Sequence, residues 1–137
     1  MKRFLSVITL CIPLILQAQE NWQPMLLTVS GHHEVNGVSA FYQLSDCGDE
    51  NYILLRFENS NNFAVEVSWY DGVFTQDKQW IRHHGEAAMK KIILEAHSTH
   101  FGFCGRDSLL KVLLKDFIPD KSSFYQYKAL ELVINIK

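Results

Sequence analysis

Six histidines fall in three close groups, His32-His33, His83-His84 and His97-Ser98-Thr99-His100. Imidazoles are the usual protein ligands of copper and zinc, so these groups invite a metal site. On an extended chain, however, neighbours project to opposite faces, and so do residues three apart, so no group converges by itself. No Asp or Glu stands at an offset such as His-Glu-x-x-His. A site would have to be assembled from separate loops. The expectation is solvated loop histidines, with no bound metal and no cofactor.

Asp46, Asp49 and Glu50 cluster around Cys47. Paired carboxylates can cleave glycosides, but acidic residues in a turn mostly serve as solvated turn formers. Nucleophilic catalysis needs a base within reach of the nucleophile and an oxyanion hole. The chain has no Gly-x-Ser-x-Gly and no Gly-rich phosphate loop. No catalytic residue is assigned, the protein is read as a non-enzyme, and a small hydrolase ranks last among the readings. Gly105-Arg106-Asp107 has the order of a displayed recognition turn, yet reads more simply as the turn before a strand at Leu109.

The aromatic run from Trp69-Tyr70 through Phe74 to Trp80 offers binding rather than catalysis. Exposed Trp and Tyr rings stack on sugars or anchor a protein partner. Alternation assigns Trp69 to the apolar face with Phe63, Val65 and Val67. Tyr70 and Trp80 are left as the candidate binding surface for a protein or glycan partner.

The N-terminus indicates where such a surface would work. Lys2 and Arg3 precede an apolar run from Phe4 to Leu16, and Gln17-Ala18-Gln19 follows. Basic start, apolar middle and small-residue end describe a secretory signal peptide over residues 1–18, cut after Ala18. Thirteen apolar residues make about 20 Å of helix, short of the roughly 30 Å of a bilayer core, so no stable membrane span is expected. Cys11 lies inside the apolar run behind Leu10, which disfavours lipidation. Without Lys2 and Arg3 the 13 basic residues become 11 against 15 acidic ones, a formal charge of −4. That mildly acidic remainder has no basic stripe to neutralise phosphates, so nucleic acid is excluded as a partner.

Two cysteines remain after such a cut, Cys47 and Cys104. An even count in an exported chain predicts a disulfide, with two buried thiols as the alternative. Closing that loop stabilises the fold by about 4 kcal/mol on the chain-entropy model. Neither cysteine has the Cys-x-x-Cys neighbour typical of a redox-active pair.

The elements that must carry these residues repeat with a period of two. Val38-Ala40-Tyr42-Leu44, Ile53-Leu55-Phe57, Phe63-Val65-Val67-Trp69, Leu110-Val112-Leu114 and Leu130-Leu132-Ile134-Ile136 alternate with more polar neighbours, the signature of half-buried strands. Turn-forming clusters fall at Asp46–Asp49, Asn59–Asn62, Asp71-Gly72, Gly105–Ser108 and Pro119–Ser122. Glu58–Phe63 therefore reads as a hairpin. Strands beginning near Met25, Val38, Tyr52, Phe63, Met89, Leu109 and Lys128 make about seven, with longer connections at Thr75–Glu86 and Pro119–Tyr127. Glu86–Ala96 mixes helix formers with β-branched Ile92-Ile93; a strand from about Met89 to Glu95 is preferred, with Ile92, Leu94 and Ala96 inward.

The expected fold is an all-β, antiparallel two-sheet sandwich formed by one domain over residues 19–137, immunoglobulin-like in architecture. It is not assigned to the immunoglobulin family, because Cys47 lies at a turn, Trp69 comes late, and Gly102 occupies the place of the tyrosine two residues before the second cysteine. The expected role is a small exported, non-catalytic interaction or structural module, secreted or in the periplasm or cell envelope. The alternative is an exported ligand- or metal-binding protein using loop histidines or exposed aromatics.

Overall fold

A computed structural model describes residues 21–83, 85 and 88–137. The expected signal peptide, residues 1–18, lies outside the described residues, as do His84, Glu86 and Ala87. The chain folds into two packed antiparallel sheets, an all-β sandwich. The first sheet contains β1 (Gln23–Pro24), β2 (Glu34–Val35), β3 (Val38–Cys47), β4 (Glu50–Asn59), β8 (Thr99–Phe101) and β9 (Lys111–Leu113). Its centre is the β3–β4 hairpin; β1 and β2 flank β3, while β8 and β9 share the far side of β4. The second sheet has β5 (Val65–Thr75) at its centre, with β10 (Phe124–Ile136) on one side and both β6 (Trp80–Arg82) and β7 (Met89–Leu94) on the other.

Alternation builds the core. Val38 and Ala40 of β3, Ile53, Leu55 and Phe57 of β4, Val65, Val67, Trp69 and Val73 of β5, and Tyr127 and Ala129 of β10 are all buried. Trp69 is fully buried against Phe57, with ring centroids 4.9 Å apart. The Glu86–Ala96 ambiguity resolves as the strand β7, whose Ile92 and Leu94 turn inward; Ala96 lies beyond its end and is exposed.

Three local expectations need correction. Glu58–Phe63 is no hairpin: β4 and β5 belong to different sheets, and the segment crosses between them. Buried Asn59 anchors the crossing, its Nδ2 donating to the carbonyls of Phe63 (2.9 Å), Leu94 (3.2 Å) and Glu95 (3.0 Å). Asp71-Gly72 is no turn but lies within β5. Leu130 does not share a face with Leu132 and Ile134, because Glu131 has a left-handed φ of 52° where the β10–β5 register shifts. That bulge places an extra residue in β10 and reverses the parity beyond it. Leu130 therefore turns outward over Gly72, while Leu132 and Ile134 pack against the core.

Cys47 and Cys104 are bonded. The immunoglobulin bridge joins opposite sheets, whereas here the last residue of β3 is tied to the loop after β8, both on the first sheet. The bond points to a setting outside the reducing cytoplasm. Among the described residues no helix is long and apolar enough to cross a membrane.

Candidate functional site

Tyr70 and Trp80 both stand on the outer face of the second sheet, because β5 directs its odd-numbered residues inward and its even-numbered ones outward. They are kept apart. Tyr70 is half-buried, with the Arg82 guanidinium 5.2 Å above its ring, and Arg82 Nη1 is held by Glu131 Oε1 at 2.9 Å. Between Tyr70 and Phe74 the outward position belongs to Gly72, where an added Cβ would lie 2.6 Å from the Leu130 side chain. Beyond it Trp80 packs on Phe74 at 4.7 Å, and Tyr125 meets Phe74 edge-on at 5.7 Å. Trp80 is 46% exposed and Tyr125 59%, so the cluster presents two open rings on a buttressing third. Tyr125 was not singled out from the sequence; its signal is the register, which sets the start of β10 beside the end of β5.

The described histidines do not assemble. His32 sits in an exposed turn, its Nδ1 3.0 Å from Ser30 Oγ, and His33 is exposed beside it. His83 stacks on Phe117 at 4.4 Å, with Nε2 3.1 Å from the Asp116 carbonyl. His97 closes a turn with a φ of 53°, and His100 lies in β8. Among the described residues no three His, Cys, Asp or Glu side chains are grouped to hold a metal. Two of the carboxylates near Cys47 are drawn into surface ion pairs, Asp46 with Lys121 at 3.5 Å and Glu50 with Lys115.

A second buried polar network, besides that of Asn59, centres on Asp71, which lies within β5 and not in a turn. Asp71 Oδ1 accepts from Trp69 Nε1 (3.1 Å) and Tyr127 OH (2.5 Å), and Oδ2 pairs with Lys90 Nζ at 2.6 Å. Trp69 Nε1 also lies 3.1 Å from Tyr127 OH, and Lys90 Nζ donates to the Leu109 carbonyl at 2.9 Å. Burial and the neighbouring carboxylate push the Tyr127 phenol well above its ordinary value. Every member has a partner, so the arrangement ties β5, β7 and β10 together rather than leaving a group free for chemistry. A cavity of about 350 Å³ opens beside it, lined by Asp71, His83, Lys90 and Phe117 among others.

Sequence reasoning missed a broader groove. It measures about 520 Å³ and lies between β7 and the β8–β9 connection, with Ile92, Phe101, Phe103, Leu109 and Leu110 as its apolar lining. Phe101 is 51% exposed, Phe103 46% and Leu109 48%. Thr99, His100, Arg106, Asp107 and Ser108 supply the polar lining. The available signal was the pair of phenylalanines flanking Gly102 beside Cys104, outside the alternation that builds the core.

No family model, no curated protein and no solved structure matches this chain.

Proposed function

We propose that this protein is an exported, non-catalytic interaction module that meets a protein or glycan partner through the outer face of its second sheet. One observation carries the reading: Trp80 and Tyr125 stand open to solvent on Phe74, while the charged groups of the interior are committed to one another. Large exposed rings held by a sheet lose little conformational freedom on binding, and they contribute much of the affinity of recognition surfaces. The intact disulfide and the basic-then-apolar N-terminus support work outside the cytoplasm.

The test is co-sedimentation with cell-envelope material of the organism that makes the protein. The native chain is expected to be retained, and Trp80→Ala/Tyr125→Ala to lose retention by about tenfold, the loss expected for an interface anchor, at an unchanged Tm. Equal retention of the two would remove the face from the interaction. Turnover of any substrate by the purified protein would refute the non-catalytic role.

A further inference from the structure

The groove beside β8 has a free backbone edge as well as apolar walls. The Asn59 N–H donates to the Ser98 carbonyl at 2.9 Å, and the Gly102 N–H to the Leu55 carbonyl at 2.9 Å. Both pairings continue the β4–β8 register, in which His100 faces Phe57. In an antiparallel ladder alternate residues bond to the same neighbour, so Ser98, His100 and Gly102 point their backbone groups at β4, and Thr99 and Phe101 point theirs away. Among the described residues, the N–H and C=O of Thr99 and Phe101 have no hydrogen-bond partner. Thr99 and Phe101 also line the groove.

We propose that this edge receives an extended segment of a partner protein as an added antiparallel strand. Two residues of that segment exchange backbone hydrogen bonds with Phe101 and Thr99. The residue between them, opposite His100, drives its side chain into the gap over Ile92 and Leu110, so it is large and apolar. The rim favours an acidic occupant: Asp107 is paired with Lys111 at 3.3 Å, whereas the Arg106 guanidinium has no acidic partner among the described residues. The incoming segment therefore carries acidic residues beside its apolar centre. The site is independent of the Trp80 face, and either can fail alone.

The probe is the peptide acetyl-Ser-Glu-Val-Leu-Val-Glu-Ser-amide, titrated into isotope-labelled protein and followed by amide chemical shifts. Saturable shifts at Thr99, Phe101, Ile92 and Leu110 are expected. Methylating the backbone nitrogens of both valines removes the donors facing β8 and weakens binding about tenfold. Arg106→Glu, an exposed position, transfers preference to the peptide with lysines in place of the glutamates. No shift up to about 5 mM peptide, a binding free energy near 3 kcal/mol, overturns the proposal. So do equal affinity of the methylated peptide, an unchanged charge preference in Arg106→Glu, shifts centred on Trp80, or concentration-dependent dimerisation that protects the Thr99 and Phe101 amides.

Discussion

Asp71 shows how a residue's type can mislead when its partners lie far along the chain. Asp followed by Gly favours a turn locally, yet the carboxylate occupies an inward position of β5, and Gly72 leaves room for Leu130. Tyr127, which makes this tolerable, lies 56 positions away, and Lys90 belongs to another strand. Nothing near Asp71 in sequence announces either. The geometry predicts a strong asymmetry between the ion partners. Asp71→Ala leaves Lys90 in a mostly buried site and is expected to cost about 3 kcal/mol or more, measured by urea unfolding; Lys90→Met costs less, because Trp69 and Tyr127 still satisfy the carboxylate. Trp69→Ala is expected to cost about 3–5 kcal/mol, and a loss below about 1 kcal/mol would place the ring outside the core.

Tyr127 adds a pH signature. Its folded-state value lies above its unfolded one, so its contribution is complete below about pH 10 and declines as pH rises, when the unfolded chain releases the phenolic proton and the folded chain keeps it. The alkaline fall in Tm is expected to be shallower in Tyr127→Phe than in the native protein. Parallel slopes would mean that the phenol titrates alike in both states.

At the scale of elements, alternation made β3, β4 and β5 legible, because one buried face imposes a period of two on any strand of that length. Six of the seven expected strands have counterparts; the one expected near Met25 is reduced to the two-residue β1 that ends before it, and β2, β6 and β8, of two or three residues each, are too short to show a period. Sheet assignment was not legible. The crossing after β4 is anchored by Asn59, whose amide reaches carbonyls at the end of β7 that no local pattern reveals. The bulge at Glu131 is invisible for a like reason, since glutamate carries no propensity for the left-handed backbone it adopts. Gly102 tests how closely the elements approach: an added Cβ would lie 2.1 Å from the Leu110 carbonyl oxygen. Gly102→Ala is expected to cost about 1–3 kcal/mol in urea unfolding, as an overpacked site does. A neutral outcome would show that the 102–110 loop shifts freely.

For the whole molecule, the sandwich and the disulfide followed from composition, alternation and an even cysteine count, while the choice of faces did not. Alternation and ring type single out Tyr70 and Trp80, yet the register brings Trp80 to Tyr125 and leaves Tyr70 under Arg82. Exposure of a ring depends on what the neighbouring strand places across from it, which the chain encodes only through the completed sheet. Removing the bridge is expected to cost about 2–5 kcal/mol, with Cys47→Ser, Cys104→Ser and the double variant equally destabilised in thermal unfolding. Additive losses would show that the sulfurs are not joined.

The bridge also governs how the molecule would answer a mechanical load. Pulled from Trp22 and Lys137, the stretch from Cys47 to Cys104, a separation of 57 positions, is short-circuited by a covalent link. Reduction would free about 200 Å of extra extension, at roughly 3.5 Å per residue. An oxidised copy stretched between two attachments would thus lengthen only through residues 22–46 and 105–137, about half of the described chain.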